Sequence, residues 1–107
     1  MNITQTALSL NVPDVTASAH FATTHFGFTE AMSAEGFVSL EHPGTPPNLI
    51  FLQTGLPTFC PHEIAGSAGQ GTLLVFVVDD IDTDFARIAE AGARVVTPPE
   101  TEPWGER

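Results

Sequence analysis

Val12-Pro13-Asp14-Val15 and Val78-Asp79-Asp80-Ile81 decide the fold, because each joins a strand-like pattern to a helical one. Before the first stretch, residues 6–12 alternate, with Leu8, Leu10 and Val12 on one face and Ala7, Ser9 and Asn11 on the other. That is the period of a strand packed on one side only. After it, Val15, Ala19, Ala22 and Phe26 form one helical stripe, with Asp14 placed to cap the first turn and Gly27 to end the last. Around the second stretch the same order returns. An apolar run over residues 72–78 predicts a strand, Asp79-Asp80 stands where Pro13-Asp14 stood, Ile81, Phe85, Ile88 and Ala89 form a stripe, and Gly92 supplies the stop. Superposing the two stretches brings Gly27 within one residue of Gly92, as an internal duplication would.

Between the two units, residues 28–33, 37–41 and 48–53 are short apolar runs separated by Ala34-Glu35-Gly36 and by His42-Pro43-Gly44-Thr45-Pro46-Pro47, which predicts three more strands. Residues 54–71 turn to Gly, Pro, Ser and Thr, and Leu56-Pro57 and Cys60-Pro61 exclude helix there. A further strand is expected over 93–97. The expected organisation is one α+β domain over residues 1–107, with a first module at about 1–55, a linker at 56–71 and a second module at 72–107, since a chain of this length accommodates one core.

Hydrophobic residues make up 42% and charged residues 15% of the chain, enough apolar material to form a core. Three basic residues face 13 acidic ones, a net charge of -10. Such a surface repels phosphates, which excludes nucleic acid as a partner and favours the approach of cations. Cys60 is the only cysteine, so no intrachain disulfide forms. The start lacks a basic residue followed by an apolar core, and no apolar run approaches the ~18–20 residues of a membrane span, so a cytoplasmic protein without a membrane partner is expected.

The run Leu10-Asn11-Val12-Pro13-Asp14-Val15, the helix end His25-Phe26-Gly27-Phe28, the segment Phe76-Val77-Val78-Asp79-Asp80-Ile81-Asp82 and the tail Glu102-Pro103-Trp104-Gly105-Glu106-Arg107 together resemble the vicinal oxygen chelate superfamily. That group includes glyoxalase I, extradiol dioxygenases, fosfomycin-resistance enzymes and bleomycin-resistance proteins. The resemblance implies paired βαβββ modules whose curved mixed sheet encloses a cleft, often completed across a homodimer. It also implies two strands beyond the Trp104 tail, so the second module is expected to be incomplete at the C-terminus, with its remaining strands on a further segment.

Metalloenzymes of the superfamily take ligands from inward positions on the first, fourth, fifth and eighth strands. Carried onto this chain, these positions hold Ala7 on the first strand, Phe51 or its neighbour Ile50 on the fourth, and Leu73 on the fifth. Hydrocarbon groups cannot ligate a divalent cation, so neither a metal nor another cofactor is expected. Other donors fare no better. Cys60, His62 and Glu63 lack a second ligand pair, His20 and His25 stand ~140° apart on a helix, and His42 is a strand end. There is no Gly-x-Ser-x-Gly elbow, and Gly69-Gln70-Gly71 is too short to cradle phosphate.

What remains is a cleft lined by Ser9, Asn11, Phe37, Ser39, Phe51, Leu73, Val75 and Val77, with Trp104 placed to stack on a flat ligand or to anchor the tail. Apolar walls with a few fixed polar groups suit a small molecule. The expected function is metal-free binding of a small cationic or aromatic compound, as in bleomycin-resistance proteins. The alternative is a metal-dependent lyase, isomerase or dioxygenase with ligands on strands beyond Arg107.

Overall fold

Pro13 and Asp14 turn the first strand into the first helix as the alternation predicts. Strand β1 (Ala7–Val12) ends at Pro13, and helix α1 (Val15–Phe26) begins with the Asp14 carboxylate accepting the Ala17 N–H at 3.0 Å. Gly27 closes α1 in the left-handed conformation at φ 77°, which costs glycine nothing and a β-carbon residue about 1 kcal/mol. Strands β2 (Thr29–Ala34), β3 (Phe37–Glu41) and β4 (Asn48–Gln53) follow. This computed structural model describes residues 1–57, 66, 72, 74–95 and 99, and the chain divides into two units, Met1–Thr72 and Leu73–Arg107.

In the first unit the four strands form one mixed sheet in the order β1-β4-β3-β2. Strand β1 lies parallel to β4, and the other neighbours are antiparallel. The parallel pairing follows from the helical crossover, while β2, β3 and β4 connect through short turns. The parallel ladder is closed at one end by Asn48 N–H on Thr6 O at 2.8 Å and at the other by Thr54 N–H on Val12 O at 3.0 Å. Gln53 Nε2 adds a 2.7 Å bond to Pro13 O, which ties the end of β4 to the strand-helix turn.

Helix α1 covers one face of this sheet. Val15 and Ala22 from the helix, Phe28, Val38 and Leu40, and Leu49 and Phe51 form the buried core, with Leu8, Leu10, Val12, Ala19 and Phe26 packed against it. The stripe read from the sequence is therefore the buried stripe. Leu40 has no exposed surface, and a fully buried side chain of that size contributes about 1.5–3 kcal/mol through transfer from water. Strand β2 is one outer strand of the sheet and exposed along its length, and its register shifts between Glu30 and Met32, a bulge of the kind that discourages further pairing.

The second unit contains helix α2 (Ile81–Glu90), capped by Asp80 as predicted. Asp80 accepts from the Thr83 hydroxyl at 2.7 Å and from the Thr83 N–H at 3.1 Å. The Thr83 hydroxyl, followed by that backbone N–H, holds the Asp80 carboxyl below its ordinary value. Gly92 follows the helix at φ 95°. Two predicted strands differ from the structure. Residues 74–78, expected as a strand over 72–78, and residues 93–95, expected within a strand over 93–97, are not in strand conformation. A strand exists only through its ladder partners, and among the described residues none pairs with these segments. Val75 and Val77 are correspondingly 71% and 95% exposed.

Candidate functional site

The sheet face opposite α1 collects the side chains that alternate with the core. Register places Asn11 beside Leu52, Leu52 beside Phe37 and Phe37 beside Ala34 in one row. A second row runs Ser9, Ile50, Ser39 and Met32, and a third begins with Ala7 and Asn48. Asn11, Phe37, Ser39, Asn48, Ile50 and Leu52 are half-buried, while Ser9 and Met32 are exposed. Side chains on one face of neighbouring strands stand within contact range, so the face is an apolar surface of Phe, Leu, Ile and Met set with neutral hydroxyls and amides. Asn11 is tethered: its Nδ2 donates to Gly66 O at 2.6 Å.

Four residues expected at the site, Ser9, Asn11, Phe37 and Ser39, thus share one face. Phe51 does not. It is 7% exposed, paired with Leu10 and Val38 on the helix side, and belongs to the core. The sequence left the β4 register open by one residue, and a one-residue step in a strand reverses the face. Ile50, level with Ser9 and Ser39, takes the place assigned to Phe51. Val75 belongs to the second unit, where it is exposed and outside any strand. Leu73 and Trp104 lie outside the described residues.

Where β1 and β4 begin and β3 ends, the first unit has an open depression of about 310 Å³, lined by Thr4, Gln5, Thr6, Glu41, Asn48 and the loop from His42 to Pro46. His42 shapes that loop. Its Nδ1 accepts the Gly44 N–H at 3.0 Å, which assigns the ring proton to Nε2, and its ring meets Phe28 edge-on at 5.1 Å. The loop is thereby tied to a core residue. Sequence reasoning missed Glu41, although the alternation of Phe37 and Ser39 carried one step further puts it on the same face.

The strand order, crossover and open face match a known arrangement. Residues 3–107 match the family model of the Glyoxalase/Bleomycin resistance protein/Dioxygenase superfamily. The chain belongs to that superfamily. Among solved structures, a glyoxalase/bleomycin resistance protein/dioxygenase from Nocardioides is 30% identical, covering 97% of this chain and 72% of its own, with a TM-score of 0.73. A lactoylglutathione lyase from Agrobacterium tumefaciens shares the fold at 18% identity and a TM-score of 0.71, covering 94% of this chain and 77% of its own. A bleomycin resistance determinant encoded on the transposon Tn5 does so at 19% identity and 0.61, covering 96% and 82%. Among the curated proteins, none matches the chain.

The metal that many members of the superfamily carry finds poor donors on this sheet. Ala7 offers a methyl group, its neighbour Asn48 a single neutral amide, and Ile50 an alkyl chain. Among the described residues no three His, Cys, Asp or Glu side chains gather in one place. Glu41 is the single carboxylate of this face, and a divalent ion held by protein needs several imidazole, thiolate or carboxylate donors, so the described side chains of this face do not fit one. No helix among the described residues is long and apolar enough to cross a membrane.

Proposed function

We propose that this superfamily member binds a small organic compound, cationic or aromatic, on the open face of its β1–β4 sheet without a metal ion, as a cytoplasmic homodimer. The observation that carries the proposal is the identity of the side chains in register on that face. Ile50, Leu52 and Phe37 offer apolar contact area, while Ser9, Ser39 and Asn48 offer neutral hydrogen-bonding groups. Such a surface binds by desolvation and shape, and its few polar groups fix orientation. A net charge of -10 favours cationic guests on encounter.

Calorimetric titration with a panel of cationic, neutral and anionic aromatic compounds tests the proposal, beside elemental analysis of protein purified without chelator. The expected result is binding of cationic aromatics without stoichiometric metal. Uniform silence across the panel, or one equivalent of Zn, Mn, Fe or Ni held by the purified protein, overturns it and favours a metal-dependent enzyme. Sedimentation velocity checks the dimer.

A further inference from the structure

The depression at the end of the sheet and the open face share two residues, Glu41 and Asn48, and this overlap has a chemical consequence. By alternation from Phe37 and Ser39, Glu41 stands on the open face, where the other strand positions are neutral: Ala7, Ser9 and Asn11 on β1, Asn48, Ile50 and Leu52 on β4, and Thr29, Met32 and Ala34 on β2. One carboxylate therefore terminates an otherwise uncharged surface.

Among the described residues no ion pair engages that carboxylate. The three basic residues of the chain, Arg87, Arg94 and Arg107, all follow Thr72. On α2, Arg87 pairs with Asp84 at 3.6 Å. The backbone oxygen of Glu41 accepts from Thr29 Oγ1 at 3.3 Å, which holds the strand and leaves the exposed side chain to solvent. The adjacent His42 has its Nδ1 committed to Gly44 N–H. The other lining groups, chiefly Thr4, Thr6, Gln5 and Asn48, bring hydroxyl and amide oxygens that accept hydrogen bonds.

We propose that this depression is an ammonium subsite of the ligand face, with Glu41 as counter-charge, so that the guest is an amine whose flat apolar body extends over Ile50 and Leu52. The inference rests on the ligand-face reading given above. An ammonium group has three donors, and the depression supplies one charged acceptor and several neutral ones. From Glu41 to Ser39, and from Asn48 to Ile50, is two residues, roughly 7 Å along a strand, which is the reach of a short arylalkylamine.

The test uses the full chain with two probes of one shape, 2-(naphthalen-2-yl)ethylammonium and the neutral 2-(naphthalen-2-yl)ethanol, titrated by calorimetry at low ionic strength. The wild-type protein should favour the ammonium probe by about 1.4- to fivefold, the range of an exposed ion pair, and added sodium chloride should shrink that preference without changing alcohol binding. Glu41→Gln should erase the preference and leave the alcohol unaffected. Glu35→Gln, in the β2–β3 turn at the other end of the sheet, should leave both unchanged. Retention of the preference in Glu41→Gln, or its equal loss in Glu35→Gln, overturns the subsite while alcohol binding keeps the ligand face standing. Failure of both probes to bind overturns the subsite and the ligand face together.

Discussion

Replacing Phe51 and Ile50 separately with alanine tests which face of β4 is the core. Phe51 is 7% exposed and packs among Leu10, Val38 and the α1 stripe. Truncating such a buried phenylalanine costs about 3–5 kcal/mol, because transfer energy is lost and a cavity is left. Ile50, half-buried on the open face, gives up roughly half of a buried isoleucine's value, about 1–2 kcal/mol. With an unfolding entropy of ~2.1 cal/mol/K per residue, each kcal/mol lowers the melting temperature of a chain of this size by about 4 °C. Phe51→Ala should therefore melt about 12–20 °C below wild type and Ile50→Ala about 4–8 °C below it, on the same scaling. Thermal and urea denaturation followed by circular dichroism at 222 nm measure both. The reverse order, with Ile50→Ala the more damaging, would refute the register on which the assignment of faces depends.

Two further outcomes follow from local geometry. Gly36→Ala should destabilise by roughly 1–3 kcal/mol in urea titration, because Gly36 sits at φ 74° and a β-carbon there would lie 2.8 Å from Leu56 Cδ1. Gly27→Ala, at a similar φ and 3.5 Å from His42 Nε2, should cost about as much, because Leu56 Cδ1 is the end of a flexible side chain that can turn aside; a clearly larger loss for Gly36→Ala would show that Leu56 is held in place. Asp80 is a carboxyl whose folded value lies below its ordinary 3.8, so its contribution is present above that value and is lost as pH falls through the lower, folded one. Asp80→Asn should flatten the pH dependence of α2 stability below pH 3.8. An NMR titration that puts the Asp80 carboxyl at or above its ordinary value would refute the cap's role.

Much of the first unit is legible in the chain because its signals are local. Asp14 and Gly27 bracket α1 through capping and left-handed backbone, both properties of single residues. The Val15, Ala19, Ala22 and Phe26 stripe and the alternation of β1 are periodicities that need no knowledge of a partner. The candidate site was legible in part. Counting assigns Ser9, Asn11, Phe37 and Ser39 to one face, whereas it misplaces Phe51 because an all-apolar strand such as Leu49-Ile50-Phe51-Leu52 carries no alternation to count. Sequence alone does not single out Glu41, because a charged residue at a strand end looks like ordinary solvated surface until a depression opens beside it.

By itself, then, the sequence determined the α+β class, the two capped helices, and the run of β2, β3 and β4 after the first helix. Only the tertiary structure decided that Ile50 and not Phe51 faces the open side, that Glu41 ends that face, and that residues 74–78 are not in strand conformation. The division has one physical cause. Caps and stripes depend on neighbours within a few residues, whereas register and strand formation depend on hydrogen bonds to partners far away in the chain, and those partners exist only once it has folded.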